Sequence, residues 1–172
     1  MQNTKTVAAA WRYAVTGCTL VLMGVMLTAP SATAAPPSAA ECRKLNPAGR
    51  DSGGDTNFSI AVRDRKMGVV TAMIACGADV NLKTQEGWTP LHTAAYFGPA
   101  AMIDLLVSKG AQVNARGDYD GWTPLHMAAS ADEDAAVVQA LLKAGADRTL
   151  KSQSGKTARE MASKAEIQAV LK

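Results

Sequence analysis

One phrase is written twice in this chain and a third time with errors. GWTPLHTAA begins at Gly87, GWTPLHMAA at Gly121 and the weaker GKTAREMAS at Gly155. A second phrase keeps the same rhythm: ACGADVN from Ala75 returns as KGAQVN from Lys109 and AGADRTL from Ala144. Successive units step by 33 to 35 residues. A period of that length describes one small supersecondary unit repeated along the chain, and such a unit cannot bury its apolar face alone. The chain is therefore predicted to fold by stacking its units in order.

Each unit has the same internal grammar. Thr89 and Thr123 stand where an N-cap hydroxyl serves free backbone N–H groups, and Pro90 and Pro124 follow at the first helical position, where a missing N–H does no harm. Ala94, Ala95, Ala128 and Ala129 allow close helix approach. The second helices, VVTAMIAC, MIDLLVSK and VVQALLKA, carry apolar residues at i, i+3 and i+4. Gly77, Gly110 and Gly145 follow that stripe, where a helix ends on a left-handed residue.

On these motifs the sequence resembles the ankyrin-repeat family, whose signature is TPLHxA at this period. The resemblance implies an all-α solenoid of about four helix-turn-helix units with short turn or hairpin fingers. Its expected parts are an N-terminal cap repeat at 55–81, full repeats at 82–114 and 115–149, and a polar C-terminal cap at 150–172. The second full repeat departs from the first: ARGDYDGW is one residue longer than LKTQEGW, and SADEDAA lacks the glycine of YFGPAA.

The recurrence decides between two readings of the histidines. His92 and His126 are the only two, and they occupy equivalent positions of adjacent units rather than converging on one cleft. Catalysis or metal binding would need convergence with a carboxylate, a nucleophile or another ligand. In the resemblance, His92 and His126 tie neighbouring loops together, and Thr89, Pro90, Leu91, Thr123, Pro124 and Leu125 complete the structural motif. SQSGKT at 152–157 imitates a phosphate-binding loop, but Leu150 stands where its first glycine belongs. No catalytic residue, metal or cofactor is expected.

The first 34 residues read as an export signal. MQNTKTVAAAWR is a basic start, YAVTGCTLVLMGVMLTA is apolar, and Ala32-Thr33-Ala34 fits a signal-peptidase site with cleavage after Ala34. The periplasm is the expected destination, with an uncleaved membrane anchor as the alternative. Cys18 lies inside the apolar run and does not end it, which argues against a lipid attachment site. Residues 35–54, rich in Pro, Ala, Gly and Ser, read as a flexible arm or linker. Of the 18 basic residues, Lys5 and Arg12 leave with the signal, so the remainder nearly balance the 15 acidic ones. A nearly neutral chain gives no footing for nucleic acid or a membrane surface.

Export also gives meaning to Cys42 and Cys76, the two cysteines left after cleavage. An even pair in an oxidising compartment is a disulfide expectation, and the arm is long enough to fold back onto the first repeat. The alternative is a thiol or redox-active protein in which Cys42, beside Arg43 and Lys44, cycles with Cys76.

What remains for function is binding. The resemblance implies a non-enzymatic module that holds a protein on its finger turns and concave face. The family's variable positions fall here on Lys83, Gln85, Glu86 and Trp88, with Tyr96 and Phe97, and in the next repeat on Gly117, Tyr119, Asp120 and Trp122, with Ser130. Trp and Tyr suit such a face because they dominate binding hot spots. Exported bacterial relatives suggest two partner types, an oxidative-stress enzyme such as catalase or a toxin that the protein blocks. A monomer is expected.

Overall fold

The computed structural model describes residues 36–131 and 134–172. The expected signal segment 1–34, with Cys18, and Asp132 and Glu133 lie outside the described residues. Helix pairs recur as the period requires: α2 (Asn57–Arg63) with α3 (Met67–Ala75), α4 (Pro90–Phe97) with α5 (Ala100–Ser108), α6 (Pro124–Ala131) with α7 (Ala135–Lys143), and α8 (Ala158–Met161) with α9 (Ala165–Val170). A further helix, α1 (Ala39–Leu45), precedes them. No strand forms among the described residues beyond two isolated bridges, Arg50 with Thr56 and Lys151 with Thr157.

The first helices pack in a row, α2 on α4, α4 on α6 and α6 on α8, while α5, α7 and α9 stack behind them. Small residues make the front row possible. Ala61, Ala94, Ala95, Ala128 and Ala129 are all buried, and the larger Phe58, Leu91 and Leu125 fill the equivalent site of successive units. In the last unit that site holds Arg159, which is exposed. An exposed position takes a polar residue at little cost. Behind, Val70 and Met73, Ile103 and Leu106, and Val138 and Leu141 bury the predicted stripe.

Of the expected flexible arm or linker at 35–54, the described residues 36–54 are ordered by local structure. Ser38 and Glu41 form a reciprocal capping box, Arg43 and Lys44 sit in the last turn of α1, and Asn46 ends it in the left-handed region. Helix α1 packs on α3, and the Cys42 and Cys76 sulfurs lie 2.04 Å apart with Cα atoms at 5.4 Å. The rest of the segment is the first finger. Arg50, Gly54 and Thr56 correspond to Lys83, Gly87 and Thr89, and the Asp51 N–H donates to the Asp55 carbonyl just as Thr84 donates to Trp88. The first unit thus starts at its finger near Arg50, ahead of the expected boundary at 55. Having Asp55 and Asn57 where later copies read Trp and Pro hid the match.

Candidate functional site

The finger region is built by three hydrogen-bond ladders, each running from one unit to the next. His92 caps its own helix: its Nδ1 accepts from the Thr89 N–H at 3.1 Å, with the Thr89 hydroxyl 2.8 Å away. That leaves the proton on Nε2, which donates to the Trp122 carbonyl at 2.9 Å. His126 repeats the arrangement with Thr123 and the Lys156 carbonyl. The residue in the same place of the fourth unit is Glu160, which accepts from the Thr157 N–H at 2.7 Å and so keeps the local cap. Burial holds both histidines below their ordinary pKa, offset only in part by the carbonyls they bond.

The second ladder is cationic. Arg50 donates to the Lys83 carbonyl at 2.8 Å, Lys83 to the Arg116 carbonyl at 3.2 Å, and Arg116 to the Lys151 carbonyl at 2.8 Å. Each basic side chain bonds to the backbone of its own equivalent one unit on. The third ladder is made by asparagines. Asn81 accepts from the Gln112 N–H and donates to the Gly110 carbonyl, and Asn114 does the same with Asp147 and Gly145. Sequence reasoning missed the asparagine and arginine roles, although Asn81 and Asn114 recur at the repeat period.

Fingers held this closely leave little room at their tips. Gly87 has φ +77°, and a β-carbon there would lie 2.4 Å from the Asp118 carboxylate. Glycine is required on both counts. Lys83 pairs with the same carboxylate at 2.5 Å.

Between the tips lies an open cleft of about 590 Å³, lined by Gly53 of the first finger, Gln85, Glu86 and Trp88 of the second, and Tyr119 and Asp120 of the third. Five of the predicted binding residues therefore meet in one place. Tyr119 is 73% exposed, whereas Trp88 is half-buried with one part of its indole on the core. Asp120 orients its carboxylate by accepting from the Trp122 N–H at 2.9 Å.

The other predicted residues are elsewhere. Tyr96 and Phe97 are exposed at the far end of α4, with ring centres 4.6 Å apart edge to face, and the Phe97 carbonyl accepts from the Arg65 guanidinium. They are the last two residues of the eight-residue α4, and the six before them span about 9 Å at 1.5 Å per residue. Lys83 serves the cationic ladder, Gly117 is buried, Trp122 packs on the core, and Ser130 donates to the Met127 carbonyl.

Comparison with known proteins agrees with this architecture. A family model for ankyrin repeats in three copies matches residues 58–167. Human Rabankyrin-5 is 34% identical over 124 residues, covering 66% of this chain and 10% of that protein. Mouse protein phosphatase 1 regulatory subunit 12A is 39% identical over 54 residues, 31% of this chain and 5% of its own length. Mouse RelA-associated inhibitor is 43% identical over 62 residues, 36% of this chain and 8% of its own. The chain thus spans a tenth or less of these relatives. The repeat grammar, the stacked helix pairs and a family match over most of the folded units make this chain a member of the ankyrin-repeat family.

Proposed function

We propose that this protein is an exported, non-enzymatic binding module of the periplasm that holds a protein partner in the cleft between its fingers. The observation that carries the reading is the meeting of Gln85, Glu86, Trp88, Tyr119 and Asp120, from two successive fingers, around one open cleft. Rigid ladders beneath the fingers favour this use, because a face already ordered loses little entropy on binding. Its relatives include a phosphatase regulatory subunit and an inhibitor named for its association with RelA, which are binding roles in those proteins.

A role without chemistry is supported by the histidines, whose ring nitrogens are all engaged by the scaffold. The cysteines support it too. Helix α1 lies on α3 with Cys42 against Cys76, and we read their bond as a staple that holds an N-terminal cap in an oxidising compartment. The export reading rests on residues 1–34 alone, and the protein acts as a monomer in this scheme.

The experiment uses the exported protein as bait in a periplasmic extract, beside Trp88→Ala/Tyr119→Ala and Tyr96→Ala/Phe97→Ala variants. A partner kept by the second variant and lost by the first supports the cleft. Equal retention by wild type and the first variant would sink it. N-terminal mass measurement of the exported chain tests cleavage after Ala34.

A further inference from the structure

We infer that the finger cleft receives an arginine side chain of the partner, held between aromatic faces and carboxylates. The inference rests on the binding reading above and adds the chemistry of what enters. Among the described residues, the cleft wall holds two aromatic rings, Trp88 and Tyr119, and two acids, Glu86 and Asp120, and it includes no basic residue. A cation over an aromatic ring is drawn to the negative face of the π system, and carboxylates beside the ring add to that attraction. Arginine fits better than lysine because its planar fork can stack on an indole while donating sideways to a carboxylate.

The neighbouring cations do not neutralise this site. Lys83 is drawn to the Asp118 carboxylate and the Arg116 carbonyl, and Arg116 to the carbonyls of Gly121 and Lys151. Glu86 has no ion pair or hydrogen bond among the described residues.

Buried Gly117, behind the lining, lets two of the lining side chains approach each other. Its backbone needs no left-handed conformation, yet a β-carbon there would lie 2.7 Å from Asp120 Oδ1 and 3.2 Å from Trp88 Cδ1. Those are the edge of one aromatic wall and one of the two carboxylates. Carboxylate and indole edge therefore lie close together, in an arrangement that a side chain on Gly117 would disturb.

The test is an NMR titration of the ¹⁵N-labelled exported protein with Ac-Gly-Arg-Gly-NH₂, run beside the same peptide carrying neutral, isosteric citrulline. Arginine should shift the Trp88 indole N–H and the amides of Glu86 and Tyr119, and bind about tenfold more tightly than citrulline. Glu86→Gln should remove most of that difference. Equal shifts with both peptides, or arginine shifts confined to residues outside the cleft, would overturn the inference. The captured partner separates this inference from the reading beneath it. Loss of the partner in Trp88→Ala/Tyr119→Ala with full retention in Glu86→Gln defeats the arginine assignment and keeps the docking face; retention in both defeats both.

Discussion

The ring of His92 donates from Nε2 to the main-chain carbonyl of Trp122, 30 residues further on, while its other nitrogen caps the helix that carries it. One side chain thus closes a local helix end and fastens one repeat to the next. Glu160, its equivalent in the final unit, does only the local half of that work.

The two roles separate by substitution. His92→Ala strips the buried Thr89 N–H of its acceptor, leaves the Trp122 carbonyl with the Gly117 N–H alone, and should cost about 2–3 kcal/mol. Glu160→Ala loses only an exposed cap and should cost clearly less. Urea denaturation followed by circular dichroism compares them; equal losses would show that the link between repeats contributes nothing.

The same histidines set a pH dependence. Burial lowers their folded pKa below the ordinary 6.5, so the unfolded chain takes up protons first as pH falls. Stability is complete above about pH 6.5 and declines below it towards the folded pKa values. Glu160, Asp147, Glu41 and Asp64 are also held below their ordinary values, and their loss belongs to still lower pH. The melting temperature should therefore fall between pH 7.5 and 5, and the fall should shrink in a His92→Gln/His126→Gln variant. An unchanged slope in that variant would assign the effect to other groups.

Two glycines with similar backbone angles should respond differently. Gly110 has φ +90° and open space around it, whereas Gly87 has φ +77° with Asp118 against it. Gly110→Ala should cost about 1 kcal/mol from backbone strain alone. Gly87→Ala must also displace Asp118 from its pairing with Lys83 and should cost roughly 2–3 kcal/mol. Thermal denaturation of both variants checks the order.

The cysteine pair should act on the first unit. Reduction, or a Cys42→Ser/Cys76→Ser variant, frees α1 from α3 and should lower stability by about 3 kcal/mol for a linkage spanning 34 residues. Hydrogen exchange should rise in α1 and α3 and hardly change in α6 and α7. Exchange that rises evenly along the whole chain would argue against a local staple.

Much of this protein was legible in one sequence because a repeat tests itself. Thr89-Pro90-Leu91-His92 means little once, but its return at Thr123 assigns it to scaffold. The alanines and aliphatics fall into stacked rows for the same reason. The first finger was hidden, because DSGGDTN keeps only the glycine and threonine of the motif, and so was α1, whose seven residues show no apolar stripe. A short helix of that kind gains its place from Ser38, Asn46 and Cys42 rather than from periodicity.

The binding residues divide along a similar line. The sequence by itself determined the repeat, the helix order and which side chains were available to a partner, since these follow from local caps and spacing. Only the tertiary structure decided that Trp88 and Glu86 face Tyr119 and Asp120 across one cleft while Tyr96 and Phe97 stand at the other end of α4. That pairing depends on how far one finger is displaced from the next. Bonds between units, from Arg50 to Lys83, Lys83 to Arg116 and His92 to Trp122, set this displacement, and no single repeat contains them.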